Sequence, residues 1–211
     1  MCNTTHDTEG QFREAMRKCR ELFRKKLHDY GASWRILRPS SLTDQLFIKA
    51  KRIRSLEIKK QSMVGEGMLP EFVALINYGI VGLIQLDKGF ADTADVSADE
   101  AMALYDRHAE EALQLMLRKN HDYDEAWRSM RVSSYTDLIL TKLQRIKEME
   151  DIGGNTLVSE GIGSNYMDII NYAVFGVIKL SNEPVPHGSR RNACRVRLCQ
   201  GHRPARHTIQ N

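Results

Sequence analysis

The sequence predicts an all-α protein in which two tandem three-helix copies pack as a pseudo-dimer within one chain. Three observations predict it. Apolar residues recur three and four apart through most of the chain, and nowhere do they alternate strictly. The chain repeats itself: 22–57 laid on 115–150 gives 16 identities in 36 positions. After a one-residue insertion, 66–86 laid on 160–180 gives 8 in 21. Last, each copy ends in a helix apolar on nearly every face, which needs cover from all sides.

The elements follow in order. In 11–27 the apolar set Phe12, Ala15, Met16, Cys19, Leu22, Phe23 and Leu27 predicts an amphipathic first helix. Its counterpart opens at Ser97 with Glu100 three residues on, a capping box. HDY and the tryptophan are expected in a polar loop after it. The S/T-x-x-D runs at Ser41–Asp44 and Ser134–Asp137 predict the starts of the second helices. The third helices are expected over about 69–86 and 164–180. Neither copy alone covers its own third helix, so pairing about an approximate two-fold buries both. The expected organisation is 1–90 for copy one, 91–183 for copy two, 87–97 as the connector between them, and a tail from 184 to 211.

Composition narrows the classes. The chain has 211 residues, 42% hydrophobic and 27% charged, ordinary values for a globular protein able to bury a core. Its 14 glycines and 5 prolines exclude a collagen-like or low-complexity chain. The +4 net charge sits in the tail, which holds six arginines and no acid; residues 1–183 carry 25 basic against 27 acidic side chains. The body is therefore not expected to bind nucleic acid, whereas the tail, expected to be disordered, is the place for such an arm. Cys2, Cys19, Cys194 and Cys199 show no C-x-x-C or zinc spacing and are expected to be free thiols. No apolar leader or unbroken membrane span is visible, so the expected compartment is the cytoplasm, without a membrane partner.

Candidate functional residues are those that both copies keep. The HDY…W loops place Asp29, Tyr30 and Trp34 against Asp122, Tyr123 and Trp127. Aspartate can hold a divalent cation, and Tyr or Trp can stack on a base. The alternative is that the aromatics anchor the core. Lys49 and Arg52, matched by Lys142 and Arg145, share one helix face, either as phosphate neutralisers or as a salt-bridged surface. Asn77 and Asn171 lie inside oily runs, where a buried amide needs a network or a ligand. Glu66 and Glu160 precede the third helices. Asp168, amid apolar neighbours, needs a pair or a metal. Asp122, Glu160 and Asp168 are the expected convergent ligands and catalytic carboxylates for a Mg²⁺-type ion, with Glu66 the copy-one equivalent of Glu160. Copy one has Ala74 where copy two has Asp168, with Glu71 one turn earlier, so copy two is expected to be the better equipped.

The motifs KLHDYGASW (26–34) and KNHDYDEAW (119–127), each followed by K-x-x-R-I and then E…INY, resemble the nucleotide modification associated domain family of bacteria and phages, first type. The resemblance covers about 20–86 and 113–180. It implies an all-helical fold and a place in nucleotide or modified-base metabolism. The pattern is also loosely similar to all-α nucleoside triphosphate pyrophosphohydrolases, whose paired E-x-x-E and E-x-x-D helices this chain does not show cleanly. The comparison implies Asp29, Asp122, Lys49, Lys142, Glu66, Glu160 and Asp168 as the polar set. Three readings follow: a Mg²⁺-dependent nucleotide hydrolase, a nucleotide-binding module without turnover, or an assembly protein. In the hydrolase scheme Lys142 and Arg145 neutralise phosphate and Trp127 or Tyr123 stacks the base. The expected partner is a nucleotide or nucleoside triphosphate, with a homo-oligomer left open.

Overall fold

The computed structural model describes residues 7–59, 65, 67–153 and 161–182. The described residues form six helices and two short 3₁₀ turns: α1 (Thr8–Tyr30), a turn at Ser33–Ile36, α2 (Pro39–Lys59), α3 (Leu69–Lys88), α4 (Ala98–Tyr123), a turn at Ala126–Ser129, α5 (Val132–Asp151) and α6 (Gly161–Asn182). The all-α expectation is met, and so is the twofold helix order. The arginine-rich tail expected to be disordered lies outside the described residues, as do Cys2, Cys194 and Cys199.

α1 starts where the Asp7 carboxylate accepts from the Gly10 N–H, and α4 where Ser97 accepts from the Glu100 N–H at 3.2 Å. Two boundaries differ from the sequence reading. HDY forms the last turn of α1 and of α4, not a loop. α2 and α5 begin at Pro39 and Val132, so Ser41 and Ser134 already lie inside them. Pro39 needs no N–H donor at a helix start. Asp44 and Asp137 are therefore not caps. Each pairs with a cation of the other copy: Lys147 to Asp44 at 2.6 Å, and Arg54 to Asp137.

The copies clasp through equivalent helices, α3 with α6, α2 with α5 and α1 with α4. α3 and α6 run antiparallel at the centre and make the most extensive helix contact. Their approach depends on three glycines: a Cβ on Gly79 would lie 2.8 Å from the Ile170 side chain, and the other two form a matched pair. A Cβ on Gly82 would lie 2.8 Å from the Tyr166 ring, and one on Gly176 would lie 2.8 Å from the Phe72 ring. Gly82 corresponds to Gly176 and Phe72 to Tyr166, so one ring-into-glycine contact is built twice about the pseudo-two-fold. Both rings are fully or almost fully buried. α3 is also long and apolar enough to cross a membrane, but most of it is packed inside the bundle.

The outer layers repeat the symmetry. Thr43 donates to Glu150 at 2.7 Å, and its equivalent Thr136 donates to Glu57 at 2.8 Å, tying α2 to α5 antiparallel. Burial raises both glutamic acids above the ordinary carboxyl range, against the opposing pull of the threonine hydroxyls. Arg20 forks onto Asp106 to join α1 to α4. Cys19 is a buried free thiol, pushed up to about 12 by burial.

Candidate functional site

Each copy encloses its own cavity, lined by that copy alone. The candidate residues do not share one hollow, because α3 and α6 pack directly on each other; a further cavity of about 280 Å³ between α1 and α4 is lined by both copies and holds none of them. The cavity of copy one, about 450 Å³, lies between α1, the first 3₁₀ turn, α2 and α3. That of copy two, about 290 Å³, lies between α4, the second turn and α6.

The 3₁₀ turns hang the tryptophans over these cavities. In copy one the Gln85 amide donates to the carbonyls of Trp34, Arg35 and Leu37. In copy two its equivalent Lys179 donates to the carbonyls of Arg128 and Met130. A long polar side chain from the third helix thus satisfies the backbone of the turn that carries the indole. Arg35, wholly buried, braces the turn further by binding Asp95 at 2.7 Å together with Gln85 and the Gly89 carbonyl.

Each cavity holds one carboxylate from the third helix, but at a different register. In copy one it is Glu71, whose Oε1 accepts from Arg52 at 2.5 Å and whose Oε2 lies 3.2 Å from the Lys49 ammonium. That second contact is electrostatic, without hydrogen-bond alignment. In copy two it is Asp168, with Lys119 at 2.6 Å and Lys142 at 2.7 Å. Burial alone would raise the Asp168 carboxyl; hydrogen bonds from the two ammonium groups outweigh it and leave the group below its ordinary value. Moving the acid by one turn exchanges a second-helix arginine for a first-helix lysine as its second partner.

The amides complete the walls. Asn77 is satisfied at both ends: it donates to the Cys19 carbonyl at 3.2 Å and accepts from the Tyr105 hydroxyl at 2.9 Å. Asn171, equivalent to it and 5% exposed, has a partner for neither Nδ2 nor Oδ1. The position matching Tyr105 in copy one is Phe12, which has no hydroxyl to offer.

The remaining candidates separate. Tyr30 and Tyr123 stand at the cavity rims, 72% and 69% exposed. Trp34 is half-buried on the wall of the first cavity. Trp127 cannot serve as an open stacking platform: Phe175 stacks on it at 4.3 Å and the Arg128 guanidinium lies 4.3 Å from the ring centroid. Arg145 is exposed and pairs with no acid among the described residues; neither it nor Lys142 lines the copy-two cavity, although Lys142 reaches the Asp168 carboxylate.

The expected carboxylate triad does not assemble from the described residues. Asp122 is exposed and pairs with His121 at 3.2 Å, as Asp29 does with His28 at 3.1 Å. Placing HDY in the last helical turn points these acids outward, away from Asp168. Glu66 and Glu160 lie outside the described residues. Among the described residues no three His, Cys, Asp or Glu side chains gather as metal ligands. A magnesium ion would find one described carboxylate per cavity, already neutralised by two cations, so the described donor set does not fit it.

Sequence reasoning missed Lys26 and Lys119 as cavity residues, although the lysine two places before HDY is kept in both copies. It also missed Tyr105 as the partner of Asn77. The signal was the mismatch with Phe12 across the repeat.

Fold and site together define a duplicated all-α protein with a polar, aromatic-walled cavity in each half. The sequence pattern of the nucleotide modification associated domain 1 family matches residues 26–86 and again 119–180, and the chain belongs to that family. No curated protein and no solved structure matches the chain.

Proposed function

We propose that the protein binds nucleotides or nucleosides in its cavities, as a nucleotide-handling module of nucleotide or modified-base metabolism. The observation that carries the reading is the chemistry gathered in copy two. A shielded amide with unpaired donor and acceptor, the Lys119 ammonium beside the Asp168 carboxylate, and the aromatic walls of Tyr123, Trp127 and Tyr172 line one cavity. Ligand sites are mostly apolar pockets of ~300–1,000 Å³ with a few placed polar groups, and both cavities lie at or within that range. The family's description points to the same chemistry.

Binding without turnover is favoured over magnesium-dependent hydrolysis. The described carboxylates are spent on lysine and arginine, so no step is routed through a metal. The test is calorimetric titration of the full chain with a panel of nucleoside mono- and triphosphates, with and without Mg²⁺. Saturable binding that does not require Mg²⁺ is expected. Failure of every nucleotide to bind would overturn the reading, and pyrophosphate release that requires Mg²⁺ would return the hydrolase.

A further inference from the structure

The copies differ in which polar group they leave unpaired. In copy two the Trp127 indole N–H donates to Asn120 at 3.2 Å, while the Asn171 amide has no partner. In copy one the Asn77 amide is fully bonded, while the Trp34 N–H has no partner. Two replacements across the repeat accompany the exchange: Leu27 stands where Asn120 does, so Trp34 lacks that acceptor, and Phe12 stands where Tyr105 does, so the Asn171 Oδ1 lacks that hydroxyl.

An unpaired buried indole N–H is one donor. An unpaired buried amide is a donor and an acceptor side by side, a fork that matches a donor–acceptor edge. Nucleobases present such edges on their rims, and sugars and phosphates do not pair with an amide in that planar way. The Asn171 amide atoms have almost no accessible surface, so a base edge reaches them only by displacing a side chain of the cavity wall, and the hydrogen bonds then made face little competition from water. Leaving both ends of a buried amide unsatisfied costs stability, and the fold shows it can satisfy the same residue in the other copy.

We propose that the two cavities have diverged, and that the copy-two cavity alone reads the edge of a nucleobase, through the Asn171 amide. Lys119 stands at the same wall for an anionic group on the ligand. This rests on the nucleotide reading above and sharpens it. Copy one has no free amide to offer and does not read a base edge.

The probes are the four ribonucleosides, which carry no phosphate, titrated into the full chain by calorimetry beside their monophosphates. One nucleoside per chain is expected. Asn171→Leu, close in shape, is expected to weaken nucleoside binding at least tenfold, with a Tm equal to or above wild type. Nucleoside binding that survives Asn171→Leu, or two equal nucleoside sites per chain, would overturn the proposal. Monophosphates that bind while nucleosides do not would also overturn it, yet leave the nucleotide reading standing. Should neither class bind wild type, the nucleotide reading itself falls.

Discussion

The two cavities began as one design and now spend their polar groups differently. Copy one holds Glu71 between Lys49 and Arg52 and ties Asn77 to Tyr105 across the copy boundary. Copy two holds Asp168 between Lys119 and Lys142 and leaves Asn171 untied. The same amide in the same helix register is therefore a structural strut in one half and a buried, unpaired group in the other. In copy one its Oδ1 accepts from a hydroxyl of the opposite copy and its Nδ2 donates to the Cys19 carbonyl; in copy two it makes neither bond. A duplication can preserve a fold and free one half for recognition, because the pseudo-two-fold lets each half be braced by the other.

The strongest way to break the comparison is to strike what the halves share. Gly82→Val and Gly176→Val each drive a side chain into a buried ring, and each is expected to cost about 3 kcal/mol in urea unfolding. Equal losses would support the reciprocal contact; a loss at one site only would show that the centre is not symmetric. The acids come next. Glu71→Ala removes the acid held between two partly buried cations and is expected to cost about 2 kcal/mol. Asp168→Ala is expected to cost about 1 kcal/mol, because Lys119 is half exposed and can turn to water. The reverse order would place the more deeply held acid in copy two.

The smallest effect is a pH dependence shared by both halves. Glu57 and Glu150 are raised in the fold, chiefly by burial. The folded state therefore holds these protons more tightly than the unfolded chain does. That contribution is present below the ordinary glutamic acid value of ~4.3 and is lost as pH rises through the raised values. Asp168 runs the other way: its lowered carboxyl favours the fold above the ordinary aspartic acid value and loses that advantage as pH falls. Between neutral pH and about 5 the glutamic acids act alone of the three. The Tm of wild type is expected to gain over that of the Glu57→Gln, Glu150→Gln variant as pH falls from 7 to 5. Parallel Tm curves would contradict it.

Much of the fold was legible because it rests on periodicity and repetition. The apolar third helices announced the centre, and the capping box at Ser97 placed α4. The S/T-x-x-D runs misled, since the same residues that cap a helix can form ion pairs across an interface, and the chain alone does not say which neighbour arrives. HDY misled for a related reason: polar residues in a last helical turn read as a loop. In the site, the shared positions Asn77 and Asn171, Lys49 and Lys142, and Trp34 and Trp127 were visible as repeats. Their roles were not, because bonding depends on partners from other helices. Identity between copies marked a common fold demand, and the working difference sits at positions that do not match, Tyr105 against Phe12 and Ala74 against Asp168.

The central claim is that Asn77 is bonded into the fold and Asn171 is not. Urea unfolding of Asn77→Leu beside Asn171→Leu tests it most directly. The account predicts a loss of about 2 kcal/mol for Asn77→Leu, which strands the buried Tyr105 hydroxyl, and no loss or a slight gain for Asn171→Leu. Equal losses at the two positions would contradict it.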